Sequence, residues 1–127
     1  MNSYDPVSVL VVGPTARLHD LGLFLPDNWL VSRRERLGIG DGGGPGHADI
    51  VLLVEPTANQ VTAACLAEPA AAVIAVLGPF SDHEEVVRVL DAGADACVRT
   101  QNSAIVAAHV EACRRRQLAS PWRVQVA

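Results

Sequence analysis

The sequence predicts a doubly wound α/β fold on a five-stranded parallel sheet, and three observations carry that expectation. Short apolar, β-branched runs alternate with stretches of helical period along the chain. The three strongest runs are closed by Gly-Pro or Glu-Pro breakers. Half of the 127 residues are hydrophobic and only 19% are charged, so one domain of 13.4 kDa has enough apolar material for a core. Helices between consecutive strands force parallel pairing through right-handed crossovers, which gives the order (βα)₅.

Element by element, Val7–Val12 reads as a buried strand stopped by Gly13-Pro14. Thr15 caps a helix that turns Leu18, Leu21 and Phe24 toward the core and ends near Pro26. Trp29–Val31 is a weak second strand, and Ile50–Val54, closed by Glu55-Pro56, is the strongest in the chain. A helix from about Thr57 to Leu66 leads to the apolar strand Ala72–Leu77, broken by Gly78-Pro79. Ser81 and Glu84 form an S-x-x-E capping box for a helix that stops on Gly93. Cys97-Val98 is the last strand, and Asn102 or Ser103 caps a final helix to about Arg116. Residues 1–116 make the domain, and 117–127 read as a linker or tail.

Composition narrows the function. Aromatics are 4%, so Ala, Val and Leu build the core. A net charge of -4 and a pI near 5.4 suit a polyanion partner poorly, because nucleic-acid affinity rests on phosphate–cation contacts. Cys65, Cys97 and Cys113 are odd in number, lack C-x-x-C spacing and follow no secretory leader, which points to a reducing cytosol. No apolar run approaches the ~20 residues of a membrane span. All ten cationic residues are Arg.

In a doubly wound sheet, ligands and chemistry collect beyond the carboxyl ends of the strands. Here those ends are Gly13-Pro14, Val54-Glu55, Leu77-Gly78 and Arg99-Thr100. The element order, together with Ala48-Asp49 before the third strand and the stretch Val89–Val98 with its Ala-Gly-Ala-Asp core, resembles the receiver domain of bacterial response regulators, a CheY-like, flavodoxin-like fold. The likeness covers roughly residues 5 to 116. It implies phosphoryl transfer to an aspartate, with an acidic pair holding Mg²⁺, a Ser or Thr and a Lys. The positions that correspond are occupied by Val54 for the acceptor, Gly13 and Pro14 for the acidic pair, Leu77 (or Gly78) for the hydroxyl residue and Thr100 for the lysine. Mg²⁺ prefers several hard oxygen ligands and valine offers no nucleophile. The expectation is therefore a degenerate member with the receiver fold and without receiver chemistry: no enzyme, no cofactor and no metal.

Other features carry less. Glu55 is either a permanent mimic of a charged phosphoaspartate or an exposed strand-end carboxylate; alternation, which points it away from Val54, favours the latter. Gly38, Gly40 and Gly43 match G-x-G-x-x-G, but an Arg-rich segment precedes them and a strand follows, so a flexible loop replacing much of the second helix is expected. His19, His47, His83 and His109 are scattered, and His83 with Glu84 and Glu85 reads as a solvated helix start. Arg114, Arg115 and Arg116 read as cations at a solvated helix end.

On the face through which receivers signal, Val86, Val106 and Val110 occupy positions usually charged. Exposed, they make an apolar patch for a homodimer; turned inward, they are core. The preferred expectation is a phosphorylation-independent, dimerising cytoplasmic regulatory domain of an atypical response regulator. It would control transcription through a DNA-binding effector domain outside these residues, or through a partner protein. The alternative is a small-molecule-sensing module built on the apolar former phosphorylation cleft.

Overall fold

A computed structural model describes residues 6–14, 17–36 and 48–119. Five parallel strands form one sheet: β1 (Ser8–Val12), β2 (Leu30–Arg34), β3 (Ile50–Val54), β4 (Ala72–Leu77) and β5 (Ala96–Arg99). Their spatial order is β2-β1-β3-β4-β5, the doubly wound arrangement with its switch point between β1 and β3. Every residue of β3 and β4 is buried, as expected of strands covered on both faces.

Alternation along the strands builds two apolar layers. On one face Val9, Val11, Leu52, Ile74 and Val76 pack with α3 (Ser103–Ala119), and Leu21 and Leu25 complete the layer. On the other, Val51, Leu53, Val73 and Leu77 pack with α1 (Ala58–Ala67) and α2 (His83–Asp91). Each fully buried Val, Leu or Ile side chain is worth about 1.5–3 kcal/mol relative to exposure, and the two layers hold the sheet by that burial.

Carboxylates fix the sheet's amino end. Asp49 Oδ2 accepts from the Ser8 amide at 2.9 Å, and Asp95 Oδ2 accepts from the Val73 amide at 2.8 Å. Each Ala-Asp pair thus ties the start of one strand to its neighbour. The helices are capped locally. Thr57 and Gln60 form a reciprocal capping box, and the Asn102 side chain accepts from the Ala104 and Ile105 amides. Gly93 (φ 122°) follows α2 in the left-handed conformation, where a Cβ would lie 3.0 Å from Cys65 Sγ.

Four expectations are corrected. The stretch after β1 is not an α-helix but a 3-10 turn, Leu21–Phe24. Leu18 (φ 57°) breaks any helix before it, Gly22 sits inside it and Pro26 follows, so only i to i+3 bonds form. β2 is longer than Trp29–Val31 and runs through Arg33 and Arg34 alongside β1. The cap of α2 is Asp82, whose carboxylate accepts from the Glu85 amide, and not Ser81. The last helix extends three residues past Arg116 to Ala119, because Gln117 Nε2 donates to the Asp49 carbonyl at 2.9 Å and keeps the final turn on the sheet. The Thr15 cap, the glycine loop of 38–43, His47 and residues 120–127 lie outside the described residues.

Candidate functional site at the carboxyl crest of the sheet

The crest is laid out by four strand ends. Gly13 leaves β1 with φ 147°, its amide donating to the Arg34 carbonyl at 2.9 Å. A Cβ placed on Gly13 would lie 2.7 Å from the Cβ of Val54, closer than carbon atoms approach. Val54 is itself only 6% exposed and belongs to the layer under α3. Gly13 and Val54 are therefore one packed contact, and any side chain at 13 collides with it. Pro14 is exposed, and Leu77 is buried in the layer under α1 and α2. The Thr100 amide donates to the Leu77 carbonyl and its hydroxyl accepts from the Asn102 amide, both at 3.0 Å.

Glu55 leaves β3 differently from a regular strand residue. Its amide still donates to the Val76 carbonyl at 2.8 Å, but its backbone is left-handed, φ 48°. The reading by strand alternation does not hold there. The carboxylate is exposed, and it forms an ion pair with the Arg17 guanidinium. Glu55 Oε1 also lies 3.7 Å from where a Cβ on Gly78 would stand. The carboxylate therefore sits over the crest between the segments that follow β1 and β4.

Arg17 and Arg33, which sequence reasoning did not single out, organise this end together with Arg99 at the end of β5. Arg17 holds Glu55. Arg33 reaches from β2 to donate to the carbonyls of Arg17, at 3.1 Å, and of Leu18. Arg99 Nη1 donates to the Ser81 carbonyl at 3.0 Å and ties β5 to the loop before α2. No motif marks them, since each bonds to a carbonyl or carboxylate distant in sequence. Beside Gly13 and Val54 lies a cavity of about 190 Å³, also lined by Val12, Leu53, Pro56 and Gln60, with Glu35 and Arg36 at the β2 end.

A magnesium ion does not fit this donor set. Gly13, Pro14 and Val54 supply no side-chain oxygen, and the Glu55 carboxylate is engaged by a cation. Among the described residues, no three of His, Cys, Asp and Glu converge as metal ligands.

Of the two readings left open for the valines of the signalling face, core rather than exposed patch is what the burial gives. Val106 and Val110 are fully buried in the α3 layer, and Val86 is partly buried against the opposite one. The large exposed apolar side chains of those helices are Val87 and Leu90 on α2 and Ile105 and Leu118 on α3. Arg114 is also not part of a solvated cluster: its side chain is 15% exposed and lies 3.6 Å from Asp49 Oδ1. His83 is exposed on the first turn of α2. Burial pushes the Cys97 and Cys113 thiols up, away from the reactive thiolate. Where the segment after β1 meets α3, the Ser103 hydroxyl donates to Asp20, and that bond holds the Asp20 carboxyl below its ordinary range.

The architecture is shared with solved receivers. The chain superposes on the response regulator DrrB of Thermotoga maritima, an OmpR/PhoB homologue, with TM-score 0.71 and 21% identity over 87% of its own length. It spans 54% of DrrB. It matches a CheY-like receiver domain protein from Methanospirillum hungatei with TM-score 0.71 and 20% identity, covering 91% of this chain and 98% of that one. An orphan response regulator of H. pylori gives TM-score 0.61 and 16% identity, covering 84% and 94%. No family model matches the sequence, and no curated protein matches it. The fold is that of CheY-like receivers, a regulatory class, and the residues at the crest are this chain's own.

Proposed function

We propose that the chain is a receiver-like regulatory module of an atypical response regulator that works without phosphorylation. Residues 1–116 form its body, without catalytic activity of their own. It acts in the cytoplasm as a homodimer and controls transcription through a DNA-binding effector domain or a partner protein. The observation that most supports this reading is the Gly13–Val54 contact. The acceptor position carries a buried valine, and the neighbouring metal position has no room for any side chain while that valine is there. Phosphoryl transfer depends on positioned charge around the transferred group, and Val54, Gly13, Pro14, Leu77 and Thr100 provide no charge. Glu55 supplies a standing negative charge at the crest, already neutralised by Arg17. With Val106 and Val110 in the core, Val87 and Leu90 of α2 and Ile105 of α3 are among the exposed apolar side chains available to a second subunit or an effector.

The test is titration with beryllofluoride and Mg²⁺, read by amide NMR, beside the DrrB receiver domain, which is known in a BeF₃-activated form. The amides of residues 53–56 and 76–79 are expected to stay in place. A saturable shift there would overturn the reading.

A second reading is supported by the cavity beside Gly13 and Val54: a small-molecule sensor whose pocket has an apolar floor and a polar rim. Its volume suits a ligand of few atoms. Thermal shift against a metabolite library checks it, since a ligand that binds the native state raises the melting point by mass action. Flat curves throughout would dismiss it.

A further inference from the structure

Among the described residues other than glycine, left-handed backbone occurs at two places, Leu18 (φ 57°) and Glu55 (φ 48°). Both belong to one contact: Glu55 is the carboxylate that Arg17 grips, and Leu18 is the residue after Arg17. L-residues are disfavoured in this conformation and persist in it only where their surroundings over-determine them. Those surroundings are explicit. Arg33 donates to the carbonyls of Arg17 and Leu18, the Leu18 side chain is buried, and the Glu55 amide continues the bonding of β3 to β4. Downstream, the backbone makes single i to i+3 bonds from the amides of Leu21, Leu23 and Leu25; Leu21 and Leu25 are buried under α3, Asp20 accepts from the Ser103 hydroxyl, and the side chains of Leu23 and Phe24 are exposed.

We infer that the Arg17–Glu55 pair is the lock of a conformational switch built into the crest. Closed, it holds residues 17–25 in their strained, docked form. Open, Leu18 and Glu55 relax to ordinary backbone, and the turn bearing Leu23 and Phe24 loosens from α3. The switch rests on the proposed function, because a crest that no phosphoryl group gates requires another contact to set its state. It places the moving element after β1, at the stretch where a helix is replaced by a turn.

Native-state amide exchange tests it. Glu55→Gln is expected to speed exchange at the Leu21, Leu23 and Leu25 amides about two- to fivefold, the scale of one partly exposed ion pair. The β3 and β4 amides are expected to keep their parent rates. The charge-swapped double variant Arg17→Glu/Glu55→Arg should restore the slower exchange, which a purely structural loss at either position would not do. Unchanged exchange in Glu55→Gln, or no restoration in the swap, overturns the lock. Should Glu55→Gln not fold, the same amides are read in the parent protein as NaCl rises from about 0.05 to about 1 M, which screens an exposed pair. Faster exchange at those three alone is expected, and none would overturn the inference. Phosphoryl uptake, measured separately, reports failure of the underlying function.

Discussion

Gly13 faces two constraints at once, a left-handed backbone and a valine methine 2.7 Å from where its own Cβ would be. Gly13→Ala should therefore destabilise the domain by about 1–3 kcal/mol, combining backbone strain with overpacking, and urea unfolding will measure it. Gly22, with nothing within 4 Å of its would-be Cβ, is the control and should tolerate alanine far better. Asp20 gives a pH dependence with a definite sign. Its carboxyl is held below the ordinary range chiefly by the Ser103 hydroxyl, so the folded state binds that proton less readily than the unfolded chain. The contribution to stability is complete above the ordinary carboxylate range and is lost as pH falls through the lowered value. Ser103→Ala should lower the neutral plateau of a stability–pH curve and flatten its acid limb, leaving the stability at the lowest pH nearly unmoved. The sequence directs attention to the crest positions Gly13, Val54 and Leu77 because they stand at strand ends and carry no charge. It did not expose Arg17 or Arg33, because an arginine's partner is chosen by packing and not by spacing.

At the level of elements, caps separate what local chemistry dictates from what packing adds. Ser81 and Asp82 are adjacent and both are good N-caps, and the S-x-x-E spacing points to Ser81. The chain caps at Asp82 instead, whose carboxylate accepts from the Glu85 amide at 3.0 Å. Asp82→Ala should cost about 1 kcal/mol, while Ser81→Ala should cost much less; thermal melts of the two variants check the assignment. The strands were legible since β3 and β4 are unbroken apolar runs, and α2 was legible down to its glycine stop. The stretch after β1 was not: Leu18, Leu21 and Phe24 have helical spacing, yet a left-handed Leu18 and an internal glycine reduce it to one turn. The face of α3 was likewise ambiguous. Its Ala- and Val-rich sequence has no strongly polar side to set its rotation, and packing on the sheet decided that Val106 and Val110 turn inward.

For the molecule as a whole, the alternation of elements and the handedness of crossovers predict a doubly wound parallel sheet, while the particular order β2-β1-β3-β4-β5 comes from the strand pairing itself. What the crest does was less readable, since it depends on side chains brought together from β1, β2, β3 and β4. The Gly13–Val54 contact also couples two positions of the crest. An aspartate placed at 54 alone would bury a carboxylate in a 6% exposed niche, facing a glycine that offers neither a metal ligand nor a counter-charge. An acid placed at 13 alone would be driven into the valine. Each substitution is penalised until the other is made, so an engineer wishing to install an acidic site here must change both positions in one step.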